Sequence, residues 1–310
     1  MINCVCMNPA MDRTVELDGF AYGGLNRVQR SIMDATGKAV NVAIVLSRLG
    51  EQVRLTGVNY REGGKAVCDR LTAEGVDGDF IWLAGSLRVN LKALDMRTGV
   101  MTEINDAGAP MPPEAAREAL ELIHKRSVGC DYVALCGSLP TGVSAGFYRS
   151  AIENGPEGAR FVLDCDGERL TEGIKARPFL IKPNRYELGL LFGRELRDGG
   201  EVLACAREIA RQGVKWVVVS LGSEGALITS ADEAWYASSL DVPVSSTVGA
   251  GDSMVAGLLH GFAMGGDAAQ ALRWGVACGN ASVMTEGTSL IDSEALPMLL
   301  SKVKCEKIAM

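Results

Sequence analysis

Histidine is almost missing from this chain of 310 residues: His124 and His260 are the only two. That scarcity argues against a Ser-His-Asp triad and against a histidine-rich metal site. The nine cysteines form no C-x-x-C pair, and their number is odd. No disulfide framework or zinc ribbon is written in such spacing. The expectation is a reducing cytoplasm, with most cysteines as small core residues. Residues 1–10 are broken by Pro9 too early to be the apolar core of a secretory leader. No apolar run reaches membrane-spanning length. There is no long basic run, and the formal net charge is −7. Nucleic acid is therefore not the expected main partner. An acidic chain that binds an anion must do so with a local cluster of Lys, Arg and backbone N–H groups.

What is present is alternation. Residues 2–7, 53–58, 79–83, 131–136, 160–164, 179–181 and 216–221 read as strands. Residues 38–49, 63–74, 114–126, 144–154, 201–212, 254–264, 267–285 and 293–303 read as helices. Residues 226–229 and 234–237 read as a strand pair. Such alternation through the chain predicts an α/β fold: a doubly wound, mostly parallel sheet flanked by helices. Residues 11–29 and 86–108 do not fit that core. They are polar, alternating and broken by glycine, and are expected to form a small β lid inserted into a single domain of residues 1–310.

The most informative stretch is Ser246-Thr247-Val248-Gly249-Ala250-Gly251-Asp252-Ser253-Met254-Val255-Ala256-Gly257. A Gly-Ala-Gly turn lets backbone approach a ligand closely. The N–H groups at a helix start lack intrahelical partners and attract anions. A carboxylate beside such a pocket repels phosphate, so Asp252 is an odd choice for binding alone. It suits a general base that takes the proton from a hydroxyl attacking a phosphoryl group. The plainer use is as a helix N-cap.

Other candidates flank it. Asn8-Pro9-Ala10-Met11-Asp12 reads as a turn after the first strand, where Asp12 could hold sugar hydroxyls or close an Asx turn. Gly37-Lys38 suggests a P-loop, but Ile32 and Ala39 stand where that motif needs Gly and Ser or Thr. The helix start with Lys38 and Asn41 could still face a polar ligand. Residues 87–95 and 100–105 read as the arms of a hairpin. Arg88, Asn90 and Lys92 share one face, and Val89, Leu91 and Ala93 the other. The polar face is either a solvated edge or a lid that grips an anion. Magnitude favours the lid. Exposed ion pairs give roughly 0–1 kcal/mol, and charge-assisted bonds to a desolvated phosphate roughly 1.5–3 kcal/mol each. Asp164 and Asp166 raise the question of a metal, with turn and cap bonds the plainer use. Asn184 and Glu187, three apart at a helix start, suit a capping box or an oxygen-ligand site for hydrated Mg²⁺.

Taken together these stretches resemble the PfkB/ribokinase-like carbohydrate kinase family over the full length. Residues 246–258 match the family's second signature closely. Thr36-Gly37-Lys38-Ala39-Val40-Asn41-Val42 matches the first in part, with two glycines missing. Asn8-Pro9-Ala10-Met11-Asp12, Arg88-x-Asn90-x-Lys92 and the Asp252 motif are most similar to the 1-phosphofructokinase branch, with tagatose-6-phosphate kinases sharing much of it. The resemblance implies ATP, Mg²⁺ and phosphoryl transfer to a free primary hydroxyl of a ketohexose phosphate, fructose 1-phosphate first. The alternatives are tagatose 6-phosphate, or an unphosphorylated sugar or nucleoside. It implies Asp252 as the base, with Gly249, Ala250 and Gly251 as an anion hole. Asp12, Gly37, Lys38, Asn41, Arg88, Asn90 and Lys92 fall at substrate positions. Lys182, Asn184, Ser220, Gly222, Gly225, Gly251 and Asn280 fall at nucleotide positions, and Asn184 and Glu187 at the Mg²⁺ site, held through water. The apolar face of the lid is expected to be covered in a homodimer.

Overall fold

The computed structural model describes residues 1–287 and 289–309. The chain opens with β1 (Ile2–Cys6), β2 (Ala10–Leu17), β3 (Val28–Thr36), α1 (Lys38–Arg48), β4 (Val53–Glu62), α2 (Gly64–Ala73) and β5 (Asp77–Ser86). Next come β6 (Arg88–Asp95), β7 (Met101–Ile104), α3 (Pro113–Ser127), β8 (Tyr132–Cys136), α4 (Phe147–Glu153), β9 (Arg160–Asp164), α5 (Gly167–Ile174) and β10 (Leu180–Ile181). The last stretch holds α6 (Arg185–Leu191), α7 (Gly199–Arg211), β11 (Trp216–Ser220), β12 (Ala226–Thr229), β13 (Ala234–Ala237), α8 (Ala250–Ala263), α9 (Ala268–Val283), α10 (Leu296–Lys302) and β14 (Cys305–Lys307).

The larger sheet runs β14-β13-β12-β11-β10-β9-β8-β1-β4-β5. Its strands are parallel from β5 through β1 to β11, and antiparallel from β11 to β14. Strands β1 and β8 are buried at every residue. Helices cover both faces of such strands, so their sequences are continuous apolar runs rather than alternating ones. The strand–helix reading of the core is therefore met.

The smaller sheet runs β3-β2-β6-β7. The hairpin of β6 and β7 pairs as expected, and β2 lies parallel to β6 with Asp12 opposite Asn90. Its first segment differs from the expected bounds of 11–29. It begins at Ala10 and, after the connection at 18–27, continues to Thr36. Asp12 is correspondingly not a turn residue. The turn is confined to residues 7–9, and Asp12 is the third residue of a strand whose partners sit on both sides. On the opposite face Val89 is exposed, while Ala93 packs with Val15 and Leu17.

Three further differences concern helices and an edge. α8 starts at Ala250, four residues before the expected 254, so Asp252 lies inside its first turn. The N-cap position belongs to Gly249 in the left-handed region (φ 79°), which rules out the capping use of Asp252. α5 was not expected, because it is only eight residues long and starts with glycine. β14 is a three-residue edge strand, too short to leave a pattern.

Candidate functional site

The C-terminal ends of the parallel strands open into a cleft of about 1330 Å³ beneath the small sheet. Such an end is where open α/β sheets place ligands. Every residue that the family resemblance put at a site lines it: Asp12, Gly37, Lys38, Asn41, Arg88, Asn90, Lys92, Lys182, Asn184, Glu187, Ser220, Gly222, Gly225, Gly249, Ala250, Gly251, Asp252 and Asn280. The P-loop alternative is excluded by geometry as well as spacing, because Gly37 follows a lid strand, β3.

At the centre lies Asp252, 8% exposed. Its Oδ2 accepts a hydrogen bond from Asn41 Nδ2 at 2.8 Å. Thr36 Oγ1 in turn donates to Asn41 Oδ1 at 3.2 Å, which fixes the amide so that its NH₂ faces the carboxylate. Burial pushes the Asp252 carboxyl up to about 6, with Asp164 adding to the rise and Lys38, Asn41 and Lys182 opposing it. A carboxylate whose proton affinity is raised toward neutrality suits a general base. The amides of Gly251 and Asp252 precede the first α-helical bond of the helix, Ser253 N to Gly249 O. N–H groups at a helix start have no intrahelical partner, and the helix dipole favours negative charge there.

Two lysines stand beside this turn. Lys182 is buried, and its Nζ lies 3.5 Å from where a Cβ on Gly251 would be. Lys38 extends from the start of α1. Burial works against its charge, yet Asp164, Asp252 and Glu187 raise its pKa above the ordinary lysine value. Both ammonium groups share Asp164 Oδ1, at 3.3 Å for Lys38 and 3.4 Å for Lys182. Asp164 is thus an ion-pair residue, not the turn or cap residue expected. Asp166 does occupy the N-cap position of α5, but its side chain bonds Arg169 rather than the helix amides.

At the lid end, Asp12 accepts from Asn90 Nδ2 at 2.9 Å and from Lys92 Nζ. Asp12, Asn90 and Lys92 are all buried. Arg88 donates to the carbonyls of Asn8 (3.1 and 3.3 Å) and Asp106 (2.9 Å) and to Asn90 Oδ1 (3.1 Å). Of the two lid cations, Lys92 is already balanced by a carboxylate, while Arg88 meets only neutral acceptors.

At the other end, Ser220 closes β11, and Gly222 opens the 3₁₀ turn Gly222–Glu224. Gly225 is required there. Its φ is 107°, and a Cβ would stand 2.1 Å from Ala237 O. Asn280 lines the cleft, but its amide is engaged within the protein. It donates to Val276 O and accepts from Ser239 Oγ and Leu240 N, so it braces the chain after β13. Asn184 and Glu187 form the capping box in full, each side chain bonding the other's backbone N–H at 2.8 Å. Among the described residues no cluster of three or more His, Cys, Asp or Glu could hold a metal. One carboxylate and one amide oxygen donor on the cleft wall fit Mg²⁺, which keeps most of its waters and binds through one or two carboxylates plus phosphates.

Sequence reasoning passed over Thr36 and Ser138, whose Oγ lies 3.1 Å from Asn8 Nδ2 inside the cleft, and it weighed Asp164 only as a metal ligand or a turn residue, not as a partner of the two lysines. A signal existed for Asp164, a charge ending the apolar strand Arg160–Asp164.

A buried carboxylate at a helix N-terminus, flanked by lysines and roofed by a polar sheet, supplies the parts that catalysis by positioning and charge requires. The chain belongs to the pfkB family of carbohydrate kinases, whose model matches residues 1–295. It is 38% identical to the 1-phosphofructokinase of Rhodobacter capsulatus over 304 residues, 97% of this chain and 96% of that one. It is 32% identical to the 1-phosphofructokinase of Bacillus subtilis (strain 168), over 99% of this chain and 100% of the relative. The crystal structure of phosphofructokinase-2 from Escherichia coli in complex with potassium superposes with a TM-score of 0.89 at 26% identity, covering 97% of this chain and 98% of that one. The chain is a carbohydrate kinase, and ATP is its co-substrate. No helix among the described residues is long and apolar enough to cross a membrane.

Proposed function

We propose that this kinase transfers the γ-phosphoryl group of ATP to the free primary hydroxyl of fructose 1-phosphate, giving fructose 1,6-bisphosphate and ADP. The observation that carries this reading is the position of Asp252. It is buried, oriented by Asn41 at 2.8 Å, and set in the same helical turn as the unpaired amides. Asp252 takes the hydroxyl proton as the oxygen attacks phosphorus. The amides of Gly251 and Asp252, with Ala250 and the αL turn at Gly249, receive the charge on the migrating phosphoryl group. Lys38 and Lys182 add cationic charge in a site shielded from water, where it acts most strongly.

Asp12, Asn90 and Asn41 hold the sugar hydroxyls, Gly37 lets the chain approach the sugar, and Arg88 binds the phosphate the substrate already carries. Lys92 serves by holding Asp12 in place. Ser220, Gly222 and Gly225 shape the nucleotide loop, and Asn280 supports it from behind. Asn184 and Glu187 hold hydrated Mg²⁺, which when bound screens the phosphate charge. Closure of the small sheet excludes water and prevents loss of ATP to hydrolysis. Its exposed apolar residues, Val28, Met33, Val89 and Ile104, support a homodimer joined through the lid.

The test is a coupled assay with ATP and Mg²⁺ against fructose 1-phosphate, tagatose 6-phosphate, fructose 6-phosphate and ribose. Highest kcat/KM on fructose 1-phosphate is expected. Preference for tagatose 6-phosphate would move the assignment to the neighbouring branch, and preference for ribose would overturn the role given to Arg88.

A further inference from the structure

We infer that Asp164 is a positioning residue of the phosphoryl-transfer site, acting through the two lysines whose ammonium groups it holds together on the cleft floor. The inference rests on the reading of Asp252 as the base. Asp164 ends β9 and is 1% exposed. Its backbone oxygen accepts from Gly137 N at 2.8 Å, which pins the residue. Its Oδ1 serves both Lys38, from α1, and Lys182, from the segment after β10. Its Oδ2 is buried without a hydrogen-bond partner. Two ammonium groups brought this close would repel each other and carry a heavy desolvation cost. One carboxylate shared between them removes both problems before any substrate arrives.

The arrangement also guards the base. The charged and titratable groups around Asp252 come from several elements: Lys38 of α1, Asp164 of β9, Lys182 after β10 and Cys136 of β8. Asp252 and Glu187 are the other carboxylates whose charge acts on Lys38. Without Asp164 the lysines turn to Asp252 and hold it as an ion pair, where it accepts a proton poorly. Asp164 therefore keeps the cations near the phosphoryl path and away from the base. Its negative charge and the lysines' positive charge act on Asp252 in opposite directions.

That opposition supplies the test, in the full-length enzyme with saturating ATP and sugar phosphate. Asp164→Asn is expected to lower kcat by about 10- to 100-fold, as for other losses of site alignment. It is expected to change both KM values less than kcat, and to move the acid limb of the kcat–pH profile to lower pH. Lys38→Met is expected to move that limb to higher pH. A residue with a purely structural role would move neither. Wild-type kcat in Asp164→Asn, or an unmoved acid limb, overturns the inference. If Asp164→Asn gives no cooperative melt, Lys38→Met and Lys182→Met decide. Both are expected to raise the acid limb, and its constancy in both overturns the inference. Asp252→Asn separates the two readings. Retained activity there would end the role of Asp252 as base. Lost activity there, with Asp164→Asn unchanged, would end only the role of Asp164.

Discussion

Asn41 Nδ2 donates to Asp252 Oδ2 at 2.8 Å across a separation of 211 residues, joining the first turn of α1 to the first turn of α8. One bond thus ties the sugar-side helix start to the reactive carboxylate. It also leaves Asp252 Oδ1 outside that bond. A base needs such an oxygen, free to meet a hydroxyl while the rest of the group is held still.

Asp252→Asn keeps the shape of the side chain and removes its basicity. A fall in kcat of about 10²–10⁴-fold is expected, with ATP binding retained by equilibrium titration. In the wild type, kcat is expected to decline as pH falls through about 6, where the carboxyl takes up its proton. A drop smaller than 10-fold in steady-state assays would demote Asp252 to a structural role.

The same substitution is expected to stabilise the fold. The Asp252 pKa of about 6 lies above its ordinary 3.8, so the folded state binds the proton more tightly than the unfolded state. Ionisation therefore opposes folding above pH 6, and the penalty disappears below about pH 4. Asp252→Asn should gain on the order of 1–3 kcal/mol at pH 8 and almost nothing at pH 4. Melting curves at the two values check this, and a gain that is equal at both would refute it.

Glu187→Gln distinguishes the metal from the cap. Glutamine completes a capping box as glutamate does, so the melting temperature is expected to stay close to wild type. The half-saturating Mg²⁺ concentration is expected to rise about 10-fold or more. An unchanged Mg²⁺ dependence would leave Glu187 as a cap alone.

The two lid cations should behave differently. Arg88→Ala is expected to raise KM for the sugar phosphate with a smaller effect on kcat, because it removes a bond to a group remote from the reacting atoms. Lys92→Met leaves Asp12 buried beside Asn90 only. It is expected to destabilise the protein by about 3 kcal/mol or more in denaturant titrations. Equal stability of the two variants would mean that the Lys92–Asp12 pair is dispensable.

Gly249→Ala tests the turn. The residue sits at φ 79°, and a Cβ would approach Leu290 Cδ2 to 2.8 Å. A cost of about 1–2 kcal/mol is expected from the left-handed backbone, together with a loss of kcat as the amides shift. Wild-type kinetics in this variant would show that the turn geometry is not critical.

The parallel core was legible because its strands are buried runs such as Ile2–Cys6 and Tyr132–Cys136, punctuated by loops of small residues. The lid hairpin was legible because Arg88, Asn90 and Lys92 alternate with Val89, Leu91 and Ala93 over β6. α5 was hidden by its glycine start and short length. The start of α8 was hidden because Gly249, Ala250 and Gly251 read equally well as a loop. Asp12 was left between two readings for a different reason. Asn8-Pro9 is a strong turn signal beside the lid segment expected from residue 11, and only the pairing of β2 with β3 and β6 places Asp12 within a strand.

By itself the sequence determined the chemistry available: a carboxylate at a helix start, glycines beside it, polar alternation in two inserted segments, and a capping box at Asn184 and Glu187. Local spacing sets these, since helix starts, turns and strand faces depend on neighbours within a few residues. Only the tertiary structure decided which charges meet. The pairing of Asp12 with Lys92, the sharing of Asp164 by Lys38 and Lys182, and the raised pKa of Asp252 all depend on burial and on partners far away in the chain. Charge interactions follow distance in space and the loss of water, and neither is written in the order of residues.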